Sequence, residues 1–259
     1  MNINDLSYYW CRLKDNPARL LKIIKSRNAR GILLHLPFEP SVFQFLNYFI
    51  QISEEEIDCL RAEYLKASLF QKFQKEYLYL RQKKILVHQK WHELMYFLIR
   101  KLKPETIVET GVFDGISSFF ILLALEKNKQ GKLYSIDLPA IHKLKGSTDE
   151  MSELTLPLGK NPGWVVPKEL VKRWKLILGS SKTYLPKVVA GVGKIDVFIH
   201  DSMHTDEYMM WEYKTAWKVL NKGGFLCSDD IHVGKAFWQF SKQVRKQKFH
   251  KSGFGVIIK

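Results

Sequence analysis

The stretch IHDSMHTDEY, residues 199 to 208, sets Asp201 and His204 directly after an apolar run that begins at KIDVF. A second apolar run ends in CSDDIHV, with Asp229 and Asp230 side by side. Carboxylates and an imidazole are the side chains that accept hydrogen bonds from hydroxyls, attract cations and exchange protons near neutral pH. The chain carries 41 Lys and Arg against 26 Asp and Glu, a net charge of +15. Acids gathered at the ends of buried runs in so basic a chain are either loop decoration or parts of one site.

Other apolar runs end in the same manner. VETGVFDGISS places Glu109 before Gly111 and Gly115, with Ser117 and Ser118 entering a helix. A glycine there turns the chain tightly and lets a ligand approach the backbone, while the helix start offers N–H groups. The motif is neither GxGxxG nor GxxxxGK[ST], so it gives no specific support for a dinucleotide or a nucleoside triphosphate. Glu109 would repel a pyrophosphate and attract the ammonium or sulfonium of an amino-acid-like cofactor. Asp137, closing KLYSID, stands where a carboxylate can accept two ribose hydroxyls, or where an acid merely caps a turn.

The elements that must hold these residues follow from periodicity. Short β-branched runs at 106–111, 132–139, 174–181, 195–201 and 224–230 are near-continuously apolar, as strands buried on both faces are. Helical stretches fall between them, GISSFFILLALEKNK and HTDEYMMWEYKTAWKVL among them. This predicts an α/β, doubly wound, mostly parallel Rossmann-like sheet, whose ligands collect at the carboxyl ends of the strands. GFGVIIK adds a strand at the C-terminal end, and a single strand rather than a hairpin is expected after the fifth. Met210, Tyr213, Trp217 and Leu220 fall at helical spacing and read as core.

Before residue 104 the texture is helical. ARLLKIIKS and SVFQFLNYFIQI carry apolar clusters, and SEEEIDCLRAEYLKASLFQKFQKEYLYLRQK opens on a capping box and runs on without Gly or Pro. QKWHELMYFLIRKLK ends at Pro104. We therefore divide the chain into an N-terminal helical region, 1–84, serving as lid, substrate wall or oligomer contact, and a domain over 85–259. An insert at 140–170 is long and punctuated by Gly and Pro, as lids are. Its Lys143, Lys145 and Lys160 suit an anionic or sugar-rich ligand.

In order and spacing, VETGVFDGISS, LYSIDLP, IDVFIHDSMHTDEY and NKGGFLCSDD resemble the core of class I S-adenosylmethionine-dependent methyltransferases. More narrowly they resemble the macrocin-type, natural-product and sugar O-methyltransferases. The resemblance covers about residues 85 to 259 and implies an enzyme that methylates a hydroxyl of a small molecule or sugar. It implies cofactor contacts from Glu109, Gly111, Asp114, Gly115 and Ser117, ribose contacts from Asp137, and Ser180 and Ser181 near the adenine. It implies a divalent cation such as Mg²⁺ on Asp201, Asp229 and Asp230, with Asp201 and His204 catalytic and His204 the general base. The subfamily's Asp-Gly-Asp-His loop is here His200, Asp201, Ser202, Met203, His204, so one acidic position is replaced or displaced. The residues leave bland alternatives open: Asp229 and Asp230 as caps of the next helix, His204 as part of a helix start, His200 as a satisfied core histidine.

Composition bounds the rest. Cys11, Cys59 and Cys227 lack CxxC spacing, which suggests neither a zinc ribbon nor a disulfide framework and fits a reducing compartment. No signal-peptide pattern opens the chain and no apolar run has the length of a membrane span, so a cytoplasmic protein is expected. From Lys235 onward there are seven Lys or Arg and no acid. That segment reads first as a solvated helix face, with attraction of an anionic acceptor or nucleic acid the alternative. The competing functions are an RNA or protein methyltransferase and a non-catalytic cofactor-binding protein. The oligomeric state stays open, a homodimer included.

Overall fold

Runs that are apolar on both sides have no face to give to water, so their strands pair in the middle of a layered structure. The computed structural model describes residues 42–81, 90–139, 155–251 and 253–259. In it β1 (Thr106–Thr110), β2 (Lys132–Asp137), β3 (Trp174–Leu178), β4 (Ile195–His200) and β5 (Leu220–Ser228) are parallel. Two further strands, β6 (Lys248–Lys251) and β7 (Phe254–Ile258), complete a seven-stranded sheet of order β3-β2-β1-β4-β5-β7-β6. This is a doubly wound, mostly parallel Rossmann-like sheet. The single strand expected after β5 is corrected to a hairpin: β6 pairs antiparallel with β7, which pairs antiparallel with β5. The short KFHK alternates polar and apolar at a sheet edge, a weaker signal than the buried β7.

Helices cover both faces. On one lie α1 (Val42–Ile50), α2 (Glu54–Leu65), α3 (Ser68–Arg81), α4 (Lys90–Leu102) and α5 (Ile116–Asn128). On the other lie α6 (Ser181–Val192), α7 (Asp206–Val219) and α8 (Ala236–Val244). Alternate residues of each strand feed the two cores, Ile107, Leu133 and Val197 into the first and Val108, Ile136 and Phe198 into the second.

The capping box at the start of α2 forms: Ser53 Oγ accepts from Glu56 N–H and Glu56 Oε2 accepts from Ser53 N–H, both at 3.1 Å. The stretch that follows folds as two helices divided at Lys66 and Ala67, with no Gly or Pro to break it. The break lets both halves reach the core. Tyr64 meets Phe70 and Phe120 edge to face, and Phe73 stacks on Phe119 at 4.0 Å. The N-terminal helices thus share the core of the sheet. ARLLKIIKS and residues 140–154 of the insert, with Lys143 and Lys145, lie outside the described residues. Among those described, no helix is long and apolar enough to cross a membrane.

Candidate active site at the carboxyl ends of the strands

The chain leaves β1 for β2 on one side and returns to β4 on the other, so the carboxyl ends of β1 and β4 face a crevice. Backbone hydrogen bonds continue one residue past the strands. Gly111 N–H donates to Ile136 O, Gly179 N–H to Asp137 O, Asp201 N–H to Thr110 O and Asp229 N–H to His200 O, at 2.7–2.9 Å. This ladder brings Gly111, Asp137, Asp201 and Asp229 into one row.

On the β1–β2 side the loop 111–115 enters α5 through Gly111 and Gly115, whose φ values of 85° and 93° favour glycine. Asp137 holds that loop: its Oδ2 accepts from Val112 N–H at 2.9 Å and Phe113 N–H at 2.7 Å. Its Oδ1 accepts from Leu138 N–H at 2.7 Å, which leaves the carboxylate acceptor capacity for a ligand diol. Ser180 is the N-cap of α6, accepting from Lys182 N–H.

Other residues of the cofactor set turn inward. Glu109 is fully buried and accepts from Ser117 Oγ and Ser118 Oγ at 2.6 Å and Ser135 Oγ at 2.7 Å. Burial pushes its carboxyl up, against those three hydroxyl donors. The hydroxyl of Ser117 is thereby spent on Glu109, and that of Ser181 on Glu212 and Tyr208. Asp114 is also buried, gripped by Arg81 Nε at 2.9 Å, Arg81 Nη2 at 2.5 Å and Trp164 Nε1 at 2.7 Å. The side chains of Glu109, Asp114, Ser117 and Ser181 are therefore buried and engaged within the protein.

At the ends of β4 and β5 the imidazole of His204 stands between two acids, Nε2 3.8 Å from Asp201 Oδ1 and Nδ1 3.8 Å from Asp230 Oδ2. His232 Nε2 lies 3.8 Å from Asp230 Oδ1. Burial and then the charges of Asp229, Glu109, Asp230 and Asp137 hold Asp201 well above the usual carboxylate range. Burial, with Asp230 beside it, pushes Asp229 up to about 7, although a hydrogen bond from Trp91 works the other way. Burial and the neighbouring His200 lower His204, against the pull of Asp230 and Glu212. Its Nε2 and Asp229 Oδ1 are buried without a hydrogen-bond partner among the described residues.

The capping reading of Asp229 and Asp230 does not describe them. The start of α8 is capped by Asp206, whose Oδ1 accepts from Lys235 N–H and Ala236 N–H, not by Asp229 or Asp230. The N-cap of α7 is Thr205, and His204 stands directly before it at the helix start. The three carboxylates fit a hard divalent cation in kind, since their crowding is what a cation would relieve. In arrangement, no three His, Cys, Asp or Glu side chains among the described residues are grouped closely enough to hold one.

Sequence reasoning missed Glu212. It lies fully buried on α7, beside Tyr213 of the stripe read as core, of which Met210 and Trp217 are only partly covered. Oε2 accepts from Thr110 Oγ1 and faces His200 Nδ1, both at 2.6 Å, while Oε1 accepts from Ser202 Oγ at 3.0 Å and from Ser181 Oγ. One carboxylate thus ties together β1, β4, α6 and the loop carrying Asp201 and His204. The signal available was an acid at an apolar position of the helix. His200 is buried as expected, but among the described residues only its Nδ1 has a hydrogen-bond partner.

Residues 108–231 match the family described as a methyltransferase domain. Solved structures share the fold. A provisionally assigned caffeoyl-CoA O-methyltransferase from Staphylococcus aureus is 13% identical, with 80% of this chain and 100% of that one covered and a TM-score of 0.52. The O-methyltransferase TomG of Streptomyces achromogenes, involved in tomaymycin synthesis and solved with S-adenosylmethionine, is 16% identical. There 80% of this chain and 99% of that one are covered, with a TM-score of 0.50. No curated protein sequence matches the chain.

Proposed function

From the methyltransferase domain carried over residues 108–231, we propose that this chain is an S-adenosylmethionine-dependent O-methyltransferase. Its acceptor is a hydroxyl of a small molecule or sugar, and a divalent cation would assist if Asp201, Asp229 and Asp230 drew together around it. The observation that carries this is the meeting of Asp201, His204 and Asp230 at the ends of β4 and β5, in one row with Gly111 and Asp137. O-methyltransferases built on the same sheet support it.

S-adenosylmethionine supplies an electrophilic methyl on a sulfonium. The chain's own part is to hold and orient. The loop 111–115 and the start of α5 offer backbone N–H groups to the amino-acid end, and Asp137 accepts the ribose hydroxyls. The carboxylates at the strand ends attract the positive sulfonium. As the acceptor oxygen bonds to the methyl carbon and the carbon–sulfur bond breaks, charge falls, so alignment and a deprotonated acceptor set the rate. His204, kept neutral by burial, takes the hydroxyl proton on Nε2. A cation held by Asp201, Asp229 and Asp230 would acidify that hydroxyl.

Calorimetric titration with S-adenosylmethionine, with and without Mg²⁺, tests the parts separately. Saturable binding, with turnover of a hydroxyl acceptor that needs the cation, is expected. Absence of cofactor binding overturns the methyltransferase reading. Binding with turnover indifferent to Mg²⁺ and to EDTA overturns the cation alone.

A further inference from the structure

Helix α3 belongs to the N-terminal helical region, yet its last residue reaches the glycine loop. Arg81 and Asp114 form a two-pronged pair whose side chains are only 10% and 5% exposed. Arg81 Nη1 also donates to Thr155 O at 2.8 Å, and the guanidinium lies over the Phe113 ring at 5.1 Å. The segment after residue 155 grips the same loop. Trp164 Nε1 donates to Asp114, Gly163 N–H to Phe113 O at 2.8 Å and Val165 N–H to Asp114 O at 3.2 Å. A β-carbon on Gly115 would stand 2.6 Å from Gly163 Cα, so the two stretches of backbone touch. Successive turns of α3 hold that segment in place: Lys72 pairs with Glu169, Glu76 with Lys160, and Tyr77 stacks on Trp164.

The loop 111–115 is therefore held at two points, by Asp137 on its inner side and by Arg81 with Trp164 on its outer side. We infer that Arg81 and Trp164 are positioning residues for the cofactor, acting through Asp114, so that the N-terminal helices and the segment 155–166 are coupled to cofactor affinity. The inference rests on reading 111–115 as the cofactor's cradle. Its physical basis is that a buried ion pair adds little net stability over an apolar pair of the same shape. A planar guanidinium on a carboxylate does fix distance and angle. Here it fixes the residue just before Gly115, where α5 begins. Anything that orders the loop for the cofactor must, by reciprocity, be tightened by the cofactor.

The test uses the full chain and S-adenosylhomocysteine as probe. Arg81→Met, Arg81→Lys, which keeps charge but loses the fork, and Trp164→Phe, which removes the indole N–H and keeps a smaller aromatic ring beside Tyr77, should each remain folded. Each should bind the probe more weakly, Arg81→Met by about tenfold. The loss in Arg81→Met/Asp114→Asn should fall well short of the sum of the two single losses, since both substitutions cut the Arg81–Asp114 pair. In the unmodified protein the probe should slow hydrogen exchange at the Trp164 indole N–H, which a purely structural clasp would not show. Folded variants that bind as tightly as the parent, or an indole N–H indifferent to the probe, overturn the clasp. If Arg81→Met fails to fold, Trp164→Phe and the indole exchange decide. A parent chain that does not bind the probe overturns the cofactor reading and this inference with it, whereas a binding parent with indifferent variants overturns the clasp alone.

Discussion

Gly111 lies so close beneath Asp201 that a β-carbon on it would stand 1.8 Å from the Asp201 carbonyl oxygen. Its φ of 85° would itself cost an alanine about 1 kcal/mol or more. Because Asp201 N–H is bonded back to Thr110 O at 2.8 Å, the end of β4 has no slack with which to retreat. Gly111→Ala should therefore displace Asp201 and the loop carrying His204. Urea denaturation should show a loss of more than about 1 kcal/mol, and S-adenosylhomocysteine binding should weaken. A variant matching the parent in both would show that the crevice does not depend on this contact.

Glu212 should make its mark in acid. Burial raises its carboxyl, but hydrogen bonds from His200, Ser181 and Thr110 prevail and hold it below its ordinary value of 4.5. With the folded value below the unfolded one, its contribution is present above that ordinary value and is lost as pH falls through the folded value. Stability of the parent, followed by urea midpoints between about pH 5 and pH 3, should fall more steeply than that of Glu212→Gln. Glu212→Ala should be worse at every pH, since each stranded buried donor costs about 1–3 kcal/mol. Parallel acid limbs for the parent and Glu212→Gln would disprove the charged network.

Much of this was legible beforehand, for identifiable reasons. Parallel strands buried on both faces announce themselves as unbroken apolar runs, so β1 to β4 fall within a few residues of expectation. The strand-end acids were visible because carboxylates interrupt those runs. What was not legible depends on partners far apart in sequence. Whether Asp114 faces a ligand or the protein is decided by Arg81 and Trp164, 33 and 50 residues away. Glu212 was hidden because it stands next to Tyr213 in a helix whose charged residues read as its solvated side. The break between α2 and α3 has no local marker, since ring packing on Phe119 and Phe120 makes it.

Phe73 tests whether the N-terminal helices belong to the core of the sheet. Its ring is fully buried and stacks on Phe119 of α5 at 4.0 Å with 7° between the planes. Phe73→Ala removes that stack and leaves a cavity, which costs about 3–5 kcal/mol in a well-packed interior. A single cooperative transition shifted by that amount is expected in circular dichroism and in tryptophan fluorescence alike. If the helical region melted first and the sheet kept the parent's midpoint, the shared core would be refuted.

The acids at the ends of β4 and β5 give the last prediction. Asp229 is pushed up to about 7, chiefly by burial and then by Asp230. A folded value above the unfolded 3.8 means that its contribution is complete below 3.8 and is lost as pH rises through about 7. The parent should therefore lose stability between pH 4 and pH 8, and Asp229→Asn should flatten that decline. A cation that offsets the crowded carboxylates would oppose the same loss. At pH 8, Mg²⁺ at about a hundred times its dissociation constant should restore about 2.7 kcal/mol in the parent. Asp229→Asn and Asp230→Asn should respond weakly. A flat parent profile would disprove the crowding, whereas a decline that Mg²⁺ leaves untouched would disprove the cation and leave His204 and Asp201 to serve the acceptor alone.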